Sequence, residues 1–382
     1  MQLRSTGAPP SVLISGAGVA GPTVAYWLAR YGFRPTVVER AQGVRSSGNP
    51  VDVRGPALPV AEAMGIVPSL REAATSATAM SVLAASGRQI ARIAMPAANR
   101  GPDRDDAGEV ELPRGDLAAA LFRAARDDAE FLFDDTVVAL DQDGGGVDVT
   151  FDRAAPRRFD LVIGADGLHS AVRRLAFGPE HAFMRHLGVY VATLPLGEPA
   201  DDPDTVLMYN TPGRLVSVHP SRSKALIAFI YRSPEVAGFD HRDTAQHKRL
   251  VTEAYAGLGW RVPDLLDRLR ATDDLYFDAV SLVHLPAWSR GRVALLGDAA
   301  SCVSLFGDGS SLAMAGAHTL AEALAADPAQ HERAFQRYEA AHRLLVEPKQ
   351  RRVNRAAALL IPKTRLGLGA RNLLARMWRG RV

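Results

Sequence analysis

Residues 11–39 read SVLISGAGVAGPTVAYWLARYGFRPTVVE and give the clearest indication of the fold. SVLIS is a short apolar strand. The segment from Gly21 to Phe33 has helical periodicity, with Pro22 in the first turn, where proline is tolerated. RPTVVE is a second strand. The stretch therefore predicts a βαβ unit of about thirty residues.

Three glycines join the first strand to the helix in the pattern Gly16-x-Gly18-x-x-Gly21. Gly16 permits a tight turn, Gly18 lets a pyrophosphate approach the backbone, and Gly21 lets helix and strand pack closely. Glu39 ends the second strand, where its carboxylate can accept hydrogen bonds from ribose hydroxyls. The combination predicts a dinucleotide site; the alternative is a glycine-rich turn without a ligand.

Two later strands also end in turns that combine glycine with aspartate. DLVIG precedes Asp166-Gly167, and VALL precedes Gly297-Asp298. An aspartate at the carboxyl end of a buried strand lies where α/β folds bind ligands. Each turn alone is equally consistent with a purely structural role.

The remaining chain predicts a second domain and a helical end. Residues 79–95 predict a hairpin, and residues 185–285 are β-rich, with a helical stretch between about residues 243 and 269. From Ser311 onward the pattern is helical. The length of 382 residues, with 47% hydrophobic and 23% charged residues, indicates a globular protein of two domains.

Composition excludes several classes of protein. Cys302 is the only cysteine, which excludes an intramolecular disulfide and a cysteine-cluster metal site and fits a reducing cytoplasm. There is no run of eighteen uninterrupted apolar residues, so no transmembrane helix is expected. We expect Cys302 to be a small residue in a loop, because no nearby base favours its thiolate.

The basic residues of the chain concentrate at its end. The net charge is +3, but the chain after Glu347 holds ten Lys and Arg and no acidic residue, so the rest carries about −7. The acidic body argues against a nucleic-acid partner. For the tail, we favour a long helix that bridges the two domains over contact with a membrane surface.

The Gly16-x-Gly18-x-x-Gly21, Asp166-Gly167 and Gly297-Asp298 turns follow one another along the chain in the same order as in the class A flavin monooxygenases. In this respect the chain resembles that family, which is also called para-hydroxybenzoate hydroxylase-like. The resemblance extends from Val12 to about Leu345 and is strongest to the tetracycline-modifying branch. It implies an α/β fold: a Rossmann-like FAD-binding domain, a mostly antiparallel substrate domain and a C-terminal helix. The implied division is FAD-binding domain 1–75, 101–180 and 281–335, substrate domain 76–100 and 181–280, and bridging helical region 336–382.

The resemblance also implies the chemistry. Non-covalently bound FAD, reduced by NADPH or NADH, reacts with O2 to a C4a-hydroperoxide, which oxygenates an aromatic or polyketide-like molecule in antibiotic biosynthesis or modification. Only one dinucleotide fingerprint is visible, so NAD(P)H is expected to bind transiently. The alternatives are a prenyl-lipid reductase and a non-enzymatic FAD-binding module. The oligomeric state is expected to be monomer or homodimer.

Site residues follow from the matched motifs. Arg214 is expected near the flavin face; its alternative is a solvated arginine at a strand start. The expected FAD contacts are Gly16, Gly18, Gly21, Glu39, Arg40, Arg45, Asp52, Arg114, Asp166, Gly167, Asp298, Gly307 and Gly309. No metal site is expected.

Two positions depart from the family pattern. Val303 stands where many relatives have proline, and Asp308 stands where they have glutamine between two glycines. An ionised Asp308 near the flavin would disfavour the anionic reduced flavin, unless the carboxylate is protonated or points away.

Overall fold

The computed structural model describes residues 8–44, 50–75, 77–84, 86–94, 109–221, 225–303 and 308–377. Its helices are α1 (Ala20–Arg30), α2 (Ala57–Ala63), α3 (Val67–Glu72), α4 (Arg114–Ala125), α5 (Ala171–Ala176), α6 (Thr244–Tyr255), α7 (Val262–Ala271), α8 (Asp298–Ser301), α9 (Asp308–Ala326), α10 (His331–Leu360) and α11 (Arg365–Met377).

The strands, in chain order, are β1 (Ser11–Ser15), β2 (Arg34–Glu39), β3 (Val51–Val53), β4 (Ala79–Leu83), β5 (Gln89–Ala94), β6 (Val110–Leu112), β7 (Glu130–Phe133), β8 (Val137–Gln142), β9 (Val147–Phe151), β10 (Arg157–Phe159), β11 (Leu161–Gly164), β12 (Met184–Pro195), β13 (Thr205–Thr211), β14 (Arg214–His219), β15 (Leu226–Arg232), β16 (Tyr276–Val283), β17 (Ser289–Arg290) and β18 (Val293–Leu295). The predicted βαβ unit is confirmed as β1, α1 and β2.

The first sheet has the order β17-β18-β11-β1-β2-β7 and is parallel except for β17. All five residues of β1 are buried, as expected for a central parallel strand covered on both faces. Chain order reverses on either side of β1, so the turns after β1 and β11 lie together at a topological switch point, where such folds bind ligands.

The second sheet has the order β16-β12-β15-β14-β13-β4-β5 and is antiparallel except for the β4–β13 pair. The predicted hairpin within residues 79–95 is confirmed as β4 and β5. Alternating residues divide the sheet into two faces. The outer face, with Val216 and Phe229, packs on α6 and α7, through Tyr255 among others.

The opposite face of this sheet, here called the inner face, points towards the first sheet. Met208, Leu215 and Ile230 lie on it and pack near Ile361, which follows α10. Helix α10 contacts both sheets: Tyr338 donates to the Leu295 carbonyl at 3.2 Å, and Arg232 donates to the Ala357 carbonyl at 2.8 Å. The mixed α/β fold, with its antiparallel second sheet and C-terminal helices, is confirmed; the exact domain bounds stay a prediction.

Candidate cofactor and substrate site

The three glycines in the turn after β1 differ in how much space surrounds them. A Cβ at Gly21 would lie 1.9 Å from the Gly16 carbonyl oxygen, and one at Gly16 would lie 2.5 Å from the Ala165 oxygen. Gly16 also has φ +104°, which favours glycine. A Cβ at Gly18 would meet nothing within 4 Å. The fold itself requires Gly16 and Gly21, whereas Gly18 leaves open space for a ligand.

The N-terminus of α1 faces this space without a cap. Its N-cap residue is Val19, and neither a side-chain cap nor an acidic residue in the first turn is present among the described residues. The free amides and the helix dipole therefore favour an anion. Glu39 stands beside them: its carboxylate accepts hydrogen bonds from the Ala17 amide at 2.8 Å and the Ala41 amide at 2.9 Å.

The turn after β11 lies against the first glycine. The Asp166 Cα would be 2.8 Å from a Cβ at Gly16. The Asp166 carboxylate accepts hydrogen bonds from the Ser170 hydroxyl and, at 3.1 Å, the Val172 amide, so it anchors the start of α5. Burial raises the pKa of Asp166. Gly167 has φ +78° and open space around it.

The turn after β18 brings Asp298 to the same place. Gly297 has φ +63°, and a Cβ there would be 3.2 Å from the Ala20 Cβ at the start of α1. Burial raises the pKa of Asp298, and the positive charge of Arg114 opposes this. In the described part of the chain, the Arg114 guanidinium has no hydrogen-bond partner. A half-buried cation without a hydrogen bond is available to a ligand.

Cys302 lies behind Asp298 and is buried. Burial, Asp298 and Asp278 raise the pKa of its thiol well above the usual value, and the thiol hydrogen-bonds Asp298. The Cys302 carbonyl accepts a hydrogen bond from Gln350 at 3.1 Å. This environment disfavours the thiolate, which supports the interpretation of Cys302 as a packing residue.

A charge network joins β3 to the start of α9. Asp308 accepts hydrogen bonds from Lys349 at 2.6 Å and from Arg54 at 2.9 Å, and Arg54 also pairs with Glu109 at 2.6 Å. Two cations thus neutralise the Asp308 carboxylate, an outcome that the sequence does not predict. Burial and Glu109 raise the pKa of Asp52 to about 7.

His169 follows the Asp166-Gly167 turn and connects the two sheets. Its Nδ1 lies 3.0 Å from Glu180, its Nε2 lies 3.1 Å from Asp278 on β16, and its ring stacks on His241 at 3.9 Å. Burial alone lowers the pKa of His169, but the two carboxylates raise it to about 9. Asp278 is 109 residues away. Sequence reasoning missed this network because no local pattern joins the partners.

The remaining predicted residues differ in where they lie. Arg214 points to the outer face, where its Nε donates to the Ala254 carbonyl of α6, so its placement gives no support to a role at the flavin face. Arg40 is exposed next to Glu39. Gly309 lies beside Asp298, because a Cβ there would be 3.8 Å from Asp298 Oδ1. Arg45 and Gly307 lie outside the described residues.

The residues that converge fit FAD. The turn after β1, the free N-terminus of α1, the Asp166-Gly167 turn and the Gly297-Asp298 turn are here called the cradle. The cradle offers open space at Gly18 and free backbone amides for a diphosphate. Beside it lie the Glu39 carboxylate, suited to a ribose, and the Arg114 guanidinium, which has no hydrogen-bond partner among the described residues. No His, Cys, Asp and Glu group able to hold a metal ion occurs among the residues that the structure describes.

Comparisons with known proteins agree with this geometry. Residues 10–349 match the family model described as FAD binding domain. A flavin-dependent monooxygenase of Legionella longbeachae is 34% identical, with 89% of this chain and 87% of the relative covered. An uncharacterized Mycobacterium tuberculosis protein is 39% identical, with 89% and 91% covered.

A solved structure shows the same architecture. The crystal structure of tetracycline destructase Tet(51) is 30% identical and has a TM-score of 0.83, with 97% of this chain and 96% of that chain covered. The full-length likeness includes both sheets and the C-terminal helices. The chain therefore belongs to the FAD-binding domain family and is a class A FAD-dependent monooxygenase.

Proposed function

We propose that the protein inserts one atom of O2 into a neutral, flat aromatic or polyketide-like molecule, with NADPH or NADH as electron donor. The substrate lies between the cradle and the inner face. The observation that carries the proposal is the chemical character of the inner face. The likeness to tetracycline destructase Tet(51) supports the substrate class, because that protein's name refers to tetracycline.

The inner face is apolar, with neutral polar groups set into it. Met208, Leu215 and Ile230 are at most 8% exposed. The Thr193 hydroxyl is buried and has no hydrogen-bond partner in the described ranges. His219 lies on the same face, where burial lowers its pKa to about 4, so its ring is neutral at pH 7. Such a surface suits a flat ring with hydroxyl or carbonyl groups.

The face disfavours a charged substrate. Its carboxylate Asp278 is held by His169, and its guanidinium Arg232 donates to carbonyls of residues 357 and 361. Both charged side chains of this face therefore already have hydrogen-bond partners within the chain, and burying an unpaired substrate charge against it is costly. Tyr276 opposite Thr193 is half-buried, and burial raises its pKa, so its hydroxyl stays protonated.

The proposed cofactor roles follow from the cradle. Gly18 and the α1 N-terminus bind the diphosphate, Glu39 binds the adenosine ribose, and Asp298 with Arg114 contacts the ribityl–phosphate region. Gly16 and Gly21 shape the turn, while Asp166 and Gly167 shape the neighbouring turn. Bound FAD supplies the activation of O2 and the oxygen transfer. The chain's own contribution is to bind, orient and exclude water.

The test is product formation under ¹⁸O2. Purified protein with FAD and NADPH is given neutral fused-ring phenols, with tetracycline as one probe, and aromatic carboxylates as the comparison class. We expect one labelled oxygen in a neutral product and NADPH consumption that depends on that compound. Labelled product only from the carboxylates contradicts the substrate class, and no product with any compound contradicts the reaction.

An Asp298→Asn variant tests the cradle separately. Loss of the carboxylate is expected to weaken FAD binding by about tenfold, measured by flavin fluorescence during titration. Asp264→Asn, an exposed position on α7, is the matched control. Equal FAD affinity in the two variants contradicts the role of Asp298.

A further inference from the structure

Helix α11 turns its apolar stripe to solvent. Leu366 is 88% exposed, Leu373 is 58% exposed and Leu374 is 63% exposed. Together with exposed Ala370 these residues have the spacing i, i+4, i+7 and i+8, which places them on one side of the helix. This set is here called the leucine stripe. Packing against the described parts of the chain does not explain this arrangement.

The opposite side of α11 is fastened to the second sheet. Arg371 donates to the Asn210 side chain at 3.0 Å. Just before the helix, the Pro362 carbonyl accepts a hydrogen bond from the Gly213 amide at 2.8 Å. Because these contacts hold the inner side, α11 cannot roll to bury the leucine stripe without breaking them.

The chain segment that leads to the leucine stripe carries exposed positive charge. Lys363 and Arg365 are exposed at the start of the helix, and Arg351, Arg352 and Arg355 are exposed on α10. The chain after Glu347 holds no acidic residue that could neutralise them. An exposed apolar stripe with a cationic border is typical of helices that lie in the interface of anionic bilayers.

We propose that α11 docks on an anionic lipid bilayer, with the leucine stripe among the acyl chains and the basic side chains at the headgroups. The helix lies on the surface: no described helix is long and apolar enough to cross a membrane. A second copy of the chain is a poorer occupant, because a two-fold contact of α11 with α11 brings like charges together. This inference is independent of the proposed function.

Vesicle flotation with the full-length, FAD-loaded protein tests the proposal. Flotation is expected with vesicles that contain phosphatidylglycerol and not with pure phosphatidylcholine vesicles. About 1 M NaCl, where the Debye length is about 3 Å, is expected to weaken it. The triple variant Leu366→Ser, Leu373→Ser and Leu374→Ser is expected to bind at least about tenfold more weakly, and so is Lys363→Glu with Arg365→Glu.

Controls separate docking from folding and self-association. Leu175→Ser removes an exposed leucine of α5 far from α11 in sequence and is expected to leave flotation unchanged. Leu366→Ser alone guards against misfolding of the triple variant, because a side chain that is 88% exposed contributes little to packing. Absent flotation, equal flotation with both lipids, or leucine variants that change only the oligomeric state by light scattering overturns the proposal.

Discussion

The cradle and the inner face are built from different parts of the chain. The cradle consists mainly of backbone: three turns and a helix N-terminus, shaped by glycines that leave room or permit close contact. The inner face consists of side chains that alternate along strands of the second sheet. This difference fits the proposed division, in which backbone atoms bind the constant ligand FAD and replaceable side chains bind the substrate. Four substitutions test this division.

The largest effect is expected for Gly21→Ala. Its Cβ would lie 1.9 Å from the Gly16 oxygen, so β1 and α1 must separate. We expect a loss of more than about 4 kcal/mol in the free energy of unfolding, or no folded protein, because overpacking here moves backbone. Urea unfolding measures it. Gly144→Ala, a glycine with open surroundings, is the control; equal stability of the two variants contradicts the cradle geometry.

Gly18→Val tests whether Gly18 is needed for FAD binding and not for folding. Nothing lies within 4 Å of the new Cβ, so stability without FAD is expected to change by less than about 0.5 kcal/mol. The FAD affinity is expected to fall by about a hundredfold, because the side chain fills the space that the diphosphate needs. Flavin fluorescence titration measures the affinity, with Gly144→Val as control. An unchanged FAD affinity contradicts the proposed role of Gly18 in binding the diphosphate.

His169→Gln tests the link between the two regions. The folded pKa of His169 is raised to about 9, above the ordinary value of 6.5. The stabilisation of the folded state by the ion pairs of His169 is therefore complete below about pH 6.5, and it is lost as pH rises through about 9. We expect the substitution to lower the free energy of unfolding by roughly 2 kcal/mol near pH 6 and to change it little near pH 10, as measured by urea unfolding. Exposed His181→Gln is the control. A pH-independent loss contradicts the ion pairs.

Thr193→Val has the smallest expected effect and concerns the inner face alone. The substitution keeps the shape and removes a buried hydroxyl without a partner, so stability stays equal or rises slightly. KM for the substrate is expected to rise about fivefold, about 1 kcal/mol, while FAD affinity is unchanged. Steady-state kinetics measure it, with exposed Thr150→Val as control. An altered FAD affinity contradicts the claim that the inner face binds the substrate alone.

Sequence reasoning succeeded where the requirement is local. The βαβ unit and the β4–β5 hairpin are confirmed, because hydrophobic periodicity and turn residues act over a few positions. It did not place Arg214, because a strand start alone does not say which face a side chain takes, and a role of Arg214 at the flavin face stays a prediction that its contact with Ala254 does not support. The contributions of individual site residues, and the domain bounds, stay predictions.

The turns of the cradle are encoded locally, because glycine spacing and an acid at a strand end state a backbone requirement directly. Long-range folding, in contrast, sets which side chains share the inner face and brings His169 to Asp278. It alone decided that two cations neutralise Asp308 and that the leucine stripe of α11 meets solvent. The physical reason is that burial and ion pairing depend on segments far apart in the chain, which local patterns do not encode.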